Sequence, residues 1–481
     1  MISHRGNFPI LKCPMNLVPA TPNDSPDKKS SSDRSSRTHS NALRDYAVSV
    51  VRTLTSRDYI AYFAGGCVRD EIMGSTPSDF DVATNATPEQ VQQIFGRNRS
   101  VMIGAAFGVV CVHERKAGIS HQVEVATFRS DGAYIDGRRP ESVAYTSPEL
   151  DAQRRDFTIN GIFYDPLSEE FIDFVSGWQD IQARTIRAIG DPFQRFAEDR
   201  LRLLRAVRFA ARFEFQIEPS TFQAIREMAN RIVEVSPERI AAEVRKMLSD
   251  RRGRVQSLLI LDETGLLHVT LPEAFDALNQ DVDARARALQ RLDALHSSSW
   301  IVATVVLLWE ELESGRIDSI SFASSIKNRW HLSNDEEQEI RFVVRAQQWL
   351  LQANSSPWSR LQPLLLSPHI DSALSLTEAL LSSSAPHSSS TLLRHSLRAT
   401  SNQADVDVQA LSRLREILKQ DIAVWNPRPI VDGSLLMELG LPVGPRYTQL
   451  IGLGRDAQLD GRIQNRDDAR EWIRQQIDSS T

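Results

Sequence analysis

The segment from Tyr62 to Val82 constrains the fold more than any other. An apolar run over 59–64 predicts a short strand that stops at Gly65-Gly66. Residues 68–73 then read as a helix and 80–83 as a second strand. A strand that ends in two glycines and opens a helix leaves backbone N–H groups free, and no Cβ blocks the approach of a phosphate. Arg69, one turn into that helix, can add charge to the same phosphates. Twelve residues separate Gly66 from Asp79. Side chains alternate along a strand, so Asp79 and Asp81 share one face while Phe80 and Val82 take the other. Carboxylates that close repel each other unless a cation lies between them. Oxygen donors suit Mg²⁺, which keeps substrate phosphates in its shell. Asp79 and Asp81 are therefore the expected metal ligands. Glu124, inside a further strand, offers a third carboxylate, and three could hold two metals for in-line phosphoryl transfer. Alone, an Asp-x-Asp reads as a solvated edge. The glycine turn upstream shifts the balance toward a site.

The surrounding pattern is mixed. Val-rich strands are expected at 108–113 and 122–128, and 162–164 and 171–174 can join the same sheet. An amphipathic helix is expected at 41–55. Residues 129–145 are polar, with Asp-Gly at 131–132 and 136–137, which predicts a mobile loop or a long hairpin. After Trp178 the period becomes helical, with helices expected at 192–213, 220–233 and 237–248 and onward to about 352. Residues 382–405 are Ser-rich and read as a linker or long loop. The expected fold class is α+β: a small mixed β-sheet head followed by an elongated all-helical neck, body and tail. The expected domains are a disordered N-terminal tail (1–40), a head (41–178), a neck (179–250), a body (251–425) and a C-terminal tail region (426–481).

Composition removes several classes. The longest apolar run, Trp300 to Trp309, is ten residues and too short to span a bilayer. Three cysteines without a CxxC spacing support neither a disulfide framework nor a zinc site, and a reducing cytoplasm is the simplest compartment. The sparse Asp and absent Glu of the first 40 residues also fit a transit peptide. A net charge of −6 argues against nucleic-acid binding through total charge. Locally the balance inverts: from Arg184 to Arg212 there are eight arginines against three acids.

That basic stretch carries a second kind of chemistry. Its leucines and Val207 give an apolar face, and Arg195, Asp199 and Arg202 fall at i, i+4 and i+7 on another. Arg205 and Arg208 continue near it. A salt-bridged, solvated helix is the ordinary reading of mixed charge. The absence of Lys favours bidentate recognition instead. An Asp can accept from the amino group of cytosine or adenine, and an Arg can donate to the ring nitrogen or keto oxygen beside it. One Asp–Arg pair can thus admit C and A and disfavour G and U. Arg154-Arg155-Asp156, followed by Asn160, reads equally well as a surface ion-pair cluster.

Together these motifs resemble a known family. Gly65-Gly66-Cys67-Val68-Arg69-Asp70 with Asp79-Phe80-Asp81 is similar to the first motif of the nucleotidyltransferase superfamily that includes DNA polymerase β. The narrower likeness is to class II tRNA nucleotidyltransferases (CCA-adding enzymes) and the bacterial poly(A) polymerases. Arg154 to Asn160 resembles their second motif, beside the nucleotide sugar, with Gly161 in place of the usual Ala. Residues 190–209 resemble the fourth, which reads the incoming base. Glu238-Arg239 with Glu243 resembles the fifth, which steadies the neck, although Pro237 also fits an ordinary helix start. Pro429 to Met437, Gly444-Pro445 and Ala457 to Gly461 resemble the family's tail, from which Tyr447-Thr448 departs.

The resemblance implies a polymerase β-like head and template-independent addition of C and A from CTP and ATP to the 3′ end of tRNA, with Mg²⁺ as cofactor. It makes Asp79, Asp81 and Glu124 catalytic. Gly65, Gly66, Arg69, Arg154, Arg155, Asp156, Asn160, Asp199, Arg202, Arg205 and Arg208 become nucleotide-binding, with Asp199 and Arg202 as base readers. It implies that the loop at 129–146 closes over the site and that the helical body binds tRNA through backbone and shape. No membrane and no obligate protein partner are expected. Alternatives are a poly(A) polymerase, a CC-only or A-only enzyme, a catalytically silent RNA-binding protein, and a small-molecule nucleotidyltransferase.

Overall fold

The computed structural model describes residues 10–12, 31–104, 108–116, 119–131, 143–382, 406 and 408–478. The chain divides into two compact units, Met1–Glu243 with Gln256–Thr270, and Val244–Val255 with Leu271–Thr481.

The first unit opens with β1 (Ile10–Lys12), α1 (Ser31–Thr55), β2 (Ala61–Ala64), α2 (Gly66–Ile72), β3 (Asp81–Thr84), α3 (Pro88–Phe95), β4 (Ser100–Gly104), β5 (Val109–Lys116) and β6 (Ile119–Thr127). There follow β7 (Arg129–Asp131), β8 (Val143–Tyr145), α4 (Pro148–Gln153), a single turn at Thr158–Asn160, β9 (Ile162–Asp165), β10 (Glu170–Asp173) and α5 (Gly177–Gln182). Eight strands form one sheet in the order β1-β10-β9-β2-β3-β6-β5-β4. All neighbours are antiparallel except β3 and β6, which run parallel. The mixed sheet of the expected head is present.

Strand alternation covers both faces of this sheet. Phe63 is buried beneath Arg44 of α1, whose guanidinium lies 5.9 Å from the ring centroid. Its neighbour Ala64 points the other way, into a cluster with Ala83, Phe128, Phe163, Ile172 and Ala152 of α4. Each such buried Phe or Ile contributes roughly 1.5–3 kcal/mol. α5 packs against the Thr158–Asn160 turn so closely that a Cβ on Gly177 would stand 2.1 Å from the Thr158 carbonyl oxygen.

One expectation needs correction at this end of the chain. The first 40 residues are not all a structureless tail: Ile10–Lys12 extends the sheet edge and α1 begins at Ser31. Neither could show in apolar periodicity, because three residues are too few to display a period and 31–40 hold no apolar residue. The polar segment at 129–145 takes the long-hairpin form: β7 and β8 pair antiparallel, Arg129 opposite Tyr145. Its tip, 132–142, lies outside the described residues, as does nearly all of the Ser-rich stretch at 382–405.

The rest of the first unit is mainly helical, with α6 (Pro192–Glu198), α7 (Leu201–Phe213), α8 (Pro219–Met228) and α9 (Pro237–Ser249), which runs on past Glu243, beside a short parallel pair of Thr185–Ile186 with Gln216–Ile217. The helix expected over 192–213 is broken. Asp199 is extended, at φ −147° and ψ 104°, and its Oδ1 accepts from the Leu201 N–H at 3.1 Å. An Asp that captures a backbone donor in this way competes with the helix ladder. The shared face predicted for Arg195, Asp199 and Arg202 is therefore wrong. Arg195 turns to the Ile189 and Gln153 carbonyls, at 3.0 and 2.7 Å.

In the second unit the apolar run at 300–309 forms two buried helices, Trp300–Leu307 and Trp309–Glu313. A small C-terminal core gathers Val431, Leu435, Leu436, Leu450, Ala457, Ile463, Ala469 and Ile473. Asp460 ties this core to Ser359, accepting from its N–H and its Oγ at 2.9 Å each. Among the described residues no helix is long and apolar enough to cross a membrane.

Candidate active site

Strand register assembles the site. Ala64 stands opposite Asp81 in the β2–β3 pair, so the glycine turn that follows β2 lies beside the first residue of β3. Gly65 has φ 74° and ψ −128°, a conformation open to glycine and strained for any residue with a Cβ. A Cβ there would also lie 3.2 Å from Arg155 Nη1. Asp79 lies two residues before the start of β3. Phe80 and Val82 are buried while Asp79 and Asp81 face outward, as alternation requires.

Both carboxylates open into a cavity of about 610 Å³ in the first unit. Gly65, Gly66, Arg69, Arg154, Arg155, Asp156, Asn160, Asp199, Arg202, Arg205 and Arg208 line it with them. Of the expected site residues only Glu124 is outside this lining. It is the register partner of Asp81 on β6 and is exposed there. Among the described residues, no group of three or more His, Cys, Asp or Glu side chains is set to hold a metal, so the three-carboxylate cluster is not assembled. Glu124 still acts on Asp81 through charge. Burial first, then the Asp79 carboxylate, then Glu124 push the Asp81 carboxyl up to about 7, against the pull of Arg155. A carboxylate facing solvent yet crowded by protein and like charge is poised to gain a cation. The donors are hard oxygens, so the residues present fit a divalent ion.

The basic wall of the cavity is braced by acids. Arg69 is buried, donates to Asn160 Oδ1 at 2.6 Å and Asp70 Oδ1 at 2.7 Å, and lies 4.6 Å from the Phe213 ring centroid. Arg154 and Arg155 both pair with Asp151, at 2.7 and 3.0 Å. Burial opposes ionisation of Asp151, but the two guanidiniums prevail and hold it below the usual carboxylate range. Asp156 is buried too. It accepts from Asn160 Nδ2 at 3.0 Å and from Arg205 Nε and Nη2 at 2.8 and 2.6 Å. Against burial, Arg205 drives Asp156 far below the usual range.

At the helix break the fifth-motif residues meet the fourth. Arg239 Nη2 donates to Asp199 Oδ2 at 2.8 Å, and Glu243 takes Arg208 Nε at 2.5 Å. Arg202 is held by Glu198 at 2.6 Å and by the Arg195 carbonyl at 2.8 Å. Asp199 and Arg202 are thus both fixed in the cavity wall, though not by one continuous helix.

Sequence reasoning gave no site role to Asp151, Asp70, Ser78, Phe209 and Arg212, of which the last four line the cavity. Asp151 had a local signal, since it lies three and four residues before the two arginines it holds. Phe209 and Arg212 end the motif stretch and the basic stretch, and the sequence singles out neither.

A glycine turn beside paired carboxylates, in a cavity walled by guanidiniums, is machinery for moving a nucleotidyl group, and the class is that of a nucleotidyltransferase. The family model described as "Poly A polymerase head domain" matches residues 61–187, and "Probable RNA and SrmB- binding site of polymerase A" matches 214–278. The CCA-adding enzyme of Levilactobacillus brevis is 30% identical over 427 residues, covering 86% of this chain and 94% of that one. That of Geobacillus sp. is 32% identical over 432 residues, covering 89% and 96%. The crystal structure of the Bacillus stearothermophilus CCA-adding enzyme in complex with CTP superposes with a TM-score of 0.70 at 26% identity, covering 91% of this chain and 98% of that one. The Thermotoga maritima CCA-adding enzyme complexed with tRNA_CCA shares the fold, with a TM-score of 0.55 at 18% identity and coverage of 91% and 96%. The chain belongs to the CCA-adding enzyme family. Use of a divalent metal follows from that membership.

Proposed function

We propose that the protein completes the CCA end of tRNA, adding C and A residues from CTP and ATP to the 3′ end without a template. One observation carries this reading: a single cavity joins Asp79 and Asp81, suited to phosphoryl transfer, with Asp199 and Arg202, suited to the edges of C and A. The relatives named above, one bound to CTP and another to tRNA_CCA, support it.

Asp79 and Asp81 would hold Mg²⁺, which when bound favours the alkoxide of the primer's 3′-hydroxyl and neutralises charge on the triphosphate and departing pyrophosphate. The chain's own groups do the rest. Backbone N–H groups at Gly65-Gly66 and the Arg69 guanidinium receive the triphosphate. Arg154, Arg155, Asp156 and Asn160 seat the sugar and its phosphates. Asp199 accepts from the exocyclic amine of C or A, and Arg202 donates to the neighbouring ring atom. Arg205 and Arg208 support the nucleotide from the next turns of α7. With these in place, the primer 3′-hydroxyl gives up its proton to solvent as its oxygen attacks the α-phosphorus, an O–P bond forms, the bond from the α-phosphorus to the bridging oxygen breaks, and pyrophosphate leaves with that bond's electrons. Glu124 deepens the negative field around Asp81. The regions 179–250, 251–425 and 426–481 serve as neck, RNA-binding body and tail to the head at 41–178, and the match at 214–278 to an RNA-binding family model, which crosses from neck into body, supports RNA contact there. Cys67 and Cys111 are free and buried, which supports a reducing cytoplasm as the compartment.

The test uses purified protein, Mg²⁺ and tRNA transcripts ending at the discriminator base or after CC, with CTP and ATP given separately and together. The expected product is CCA followed by a stop. Addition of CC or of A alone would mean a split enzyme, and a long A ladder on any RNA a poly(A) polymerase.

A further inference from the structure

Six of the seven arginines lining the cavity are each paired with a carboxylate of the protein. Arg212 is not: among the described residues it has no acidic partner, and it is exposed to the cavity. Its surroundings are cationic. The rings of Phe209 and Phe213 stack at 5.9 Å with an interplanar angle of 8°. Arg205 and Arg208 lie 5.2 and 4.2 Å from the Phe209 centroid, Arg69 lies 5.4 Å from Phe209 and 4.6 Å from Phe213, and Arg212 lies 5.5 Å from Phe213. Four guanidiniums thus gather on one aromatic pair. The charge of Arg212 is felt by Arg208, helping to pull it below the usual guanidinium range, where burial has already lowered it.

We propose that Arg212 grips the triphosphate of the incoming nucleotide. The inference rests on the nucleotidyltransferase reading of this cavity. Position along α7 separates the roles. Arg212 is ten residues beyond Arg202, about 15 Å at the α-helical rise, so it lies far from the base-reading pair. It shares the Phe213 ring with Arg69, whose helix starts at the glycine turn. It therefore stands at the phosphate end of the cavity. An uncompensated cation among three others favours a ligand of several negative charges over a single backbone phosphate. A contact with the triphosphate treats CTP and ATP alike, because neither base reaches it.

The test compares Arg212→Ala and Arg212→Lys with the wild type on tRNA acceptors. KM for CTP and for ATP should rise together by about tenfold in the Ala variant, with kcat and the KM for tRNA little changed. The Lys variant should recover most of the loss. Equilibrium binding gives a readout without turnover: CTP should bind the Ala variant about tenfold more weakly, while cytidine binds both proteins equally. A raised KM for tRNA with nucleotide KM unmoved, or CTP binding unchanged, would overturn the assignment. A wild type that adds no nucleotide to any RNA would overturn the reading beneath it instead, so the two failures are distinguishable.

Discussion

Asp156 and Arg205 bind the floor of the cavity to its helical wall across 49 residues of sequence, and the strength of that tie can be worked out. The Asp156 carboxylate is 8% exposed and takes two hydrogen bonds from the guanidinium, at 2.8 and 2.6 Å. Breaking a fully buried pair from one side costs roughly 3–5 kcal/mol. The Arg205 side chain keeps 31% of its surface open, so solvent recovers part of this and about 2–3 kcal/mol should remain. Asp156→Asn keeps the shape but turns a donor toward the guanidinium. Urea unfolding of Asp156→Asn, Arg205→Met and the double variant forms a cycle, with an expected coupling of about 2 kcal/mol. The pH dependence has a definite sign. The folded-state pKa of Asp156 is depressed, so its contribution is complete above the ordinary carboxylate range and is lost as pH falls through the folded value. Asp156→Asn should therefore cost much at pH 7 and progressively less in acid. A coupling under about 0.5 kcal/mol, or a cost independent of pH, would refute the reasoning.

Asp79→Asn and Asp81→Asn should each abolish detectable transfer. The thermal midpoint of metal-free Asp81→Asn at pH 8 should equal or exceed that of the wild type, because the change removes a charge that its surroundings disfavour. A drop of several degrees would mark a structural role instead. Gly65→Ala should lose about 1–3 kcal/mol to backbone strain, read by thermal unfolding, and should raise KM for both nucleotides; full stability would contradict the positive-φ turn. Glu218 caps α8: burial opposes ionisation, but hydrogen bonds from Ser220 and Thr221 hold it down at about 2. Its contribution is present above the ordinary glutamate pKa and lost as pH falls through about 2, so Glu218→Gln should flatten acid unfolding between those limits, and an unchanged acid limb would exclude the cap.

What the sequence made legible was local. Gly65, Gly66, Asp79 and Asp81 could be placed because one strand end, one short helix and strand alternation leave few ways to arrange them. The single three-dimensional fact needed was that β2 and β3 are neighbours, and consecutive strands usually are. Contacts between distant segments were not legible in this way. Arg239 meets Asp199 across 40 residues and Glu243 meets Arg208 across 35, and no periodicity marks either pair. Family resemblance located those residues without giving their partners. The break at Asp199 was hidden because apolar spacing continues on both sides of it. It depends on one side chain capturing one backbone donor. Arg212 was invisible for a different reason. A lone arginine on a helix reads as solvated, and it gains meaning only when every other cavity arginine proves to be already paired.

The central claim is that this one cavity both carries out the transfer and chooses the base. The most direct measurement is kcat/KM for CTP, ATP, UTP and GTP on tRNA acceptors, in the wild type and in Asp199→Ala with Arg202→Ala. The account predicts that the wild type prefers CTP and ATP, and that the double variant retains a slow transfer that has lost that preference. A double variant that still selects C and A over U and G would contradict it, because the base would then be chosen elsewhere.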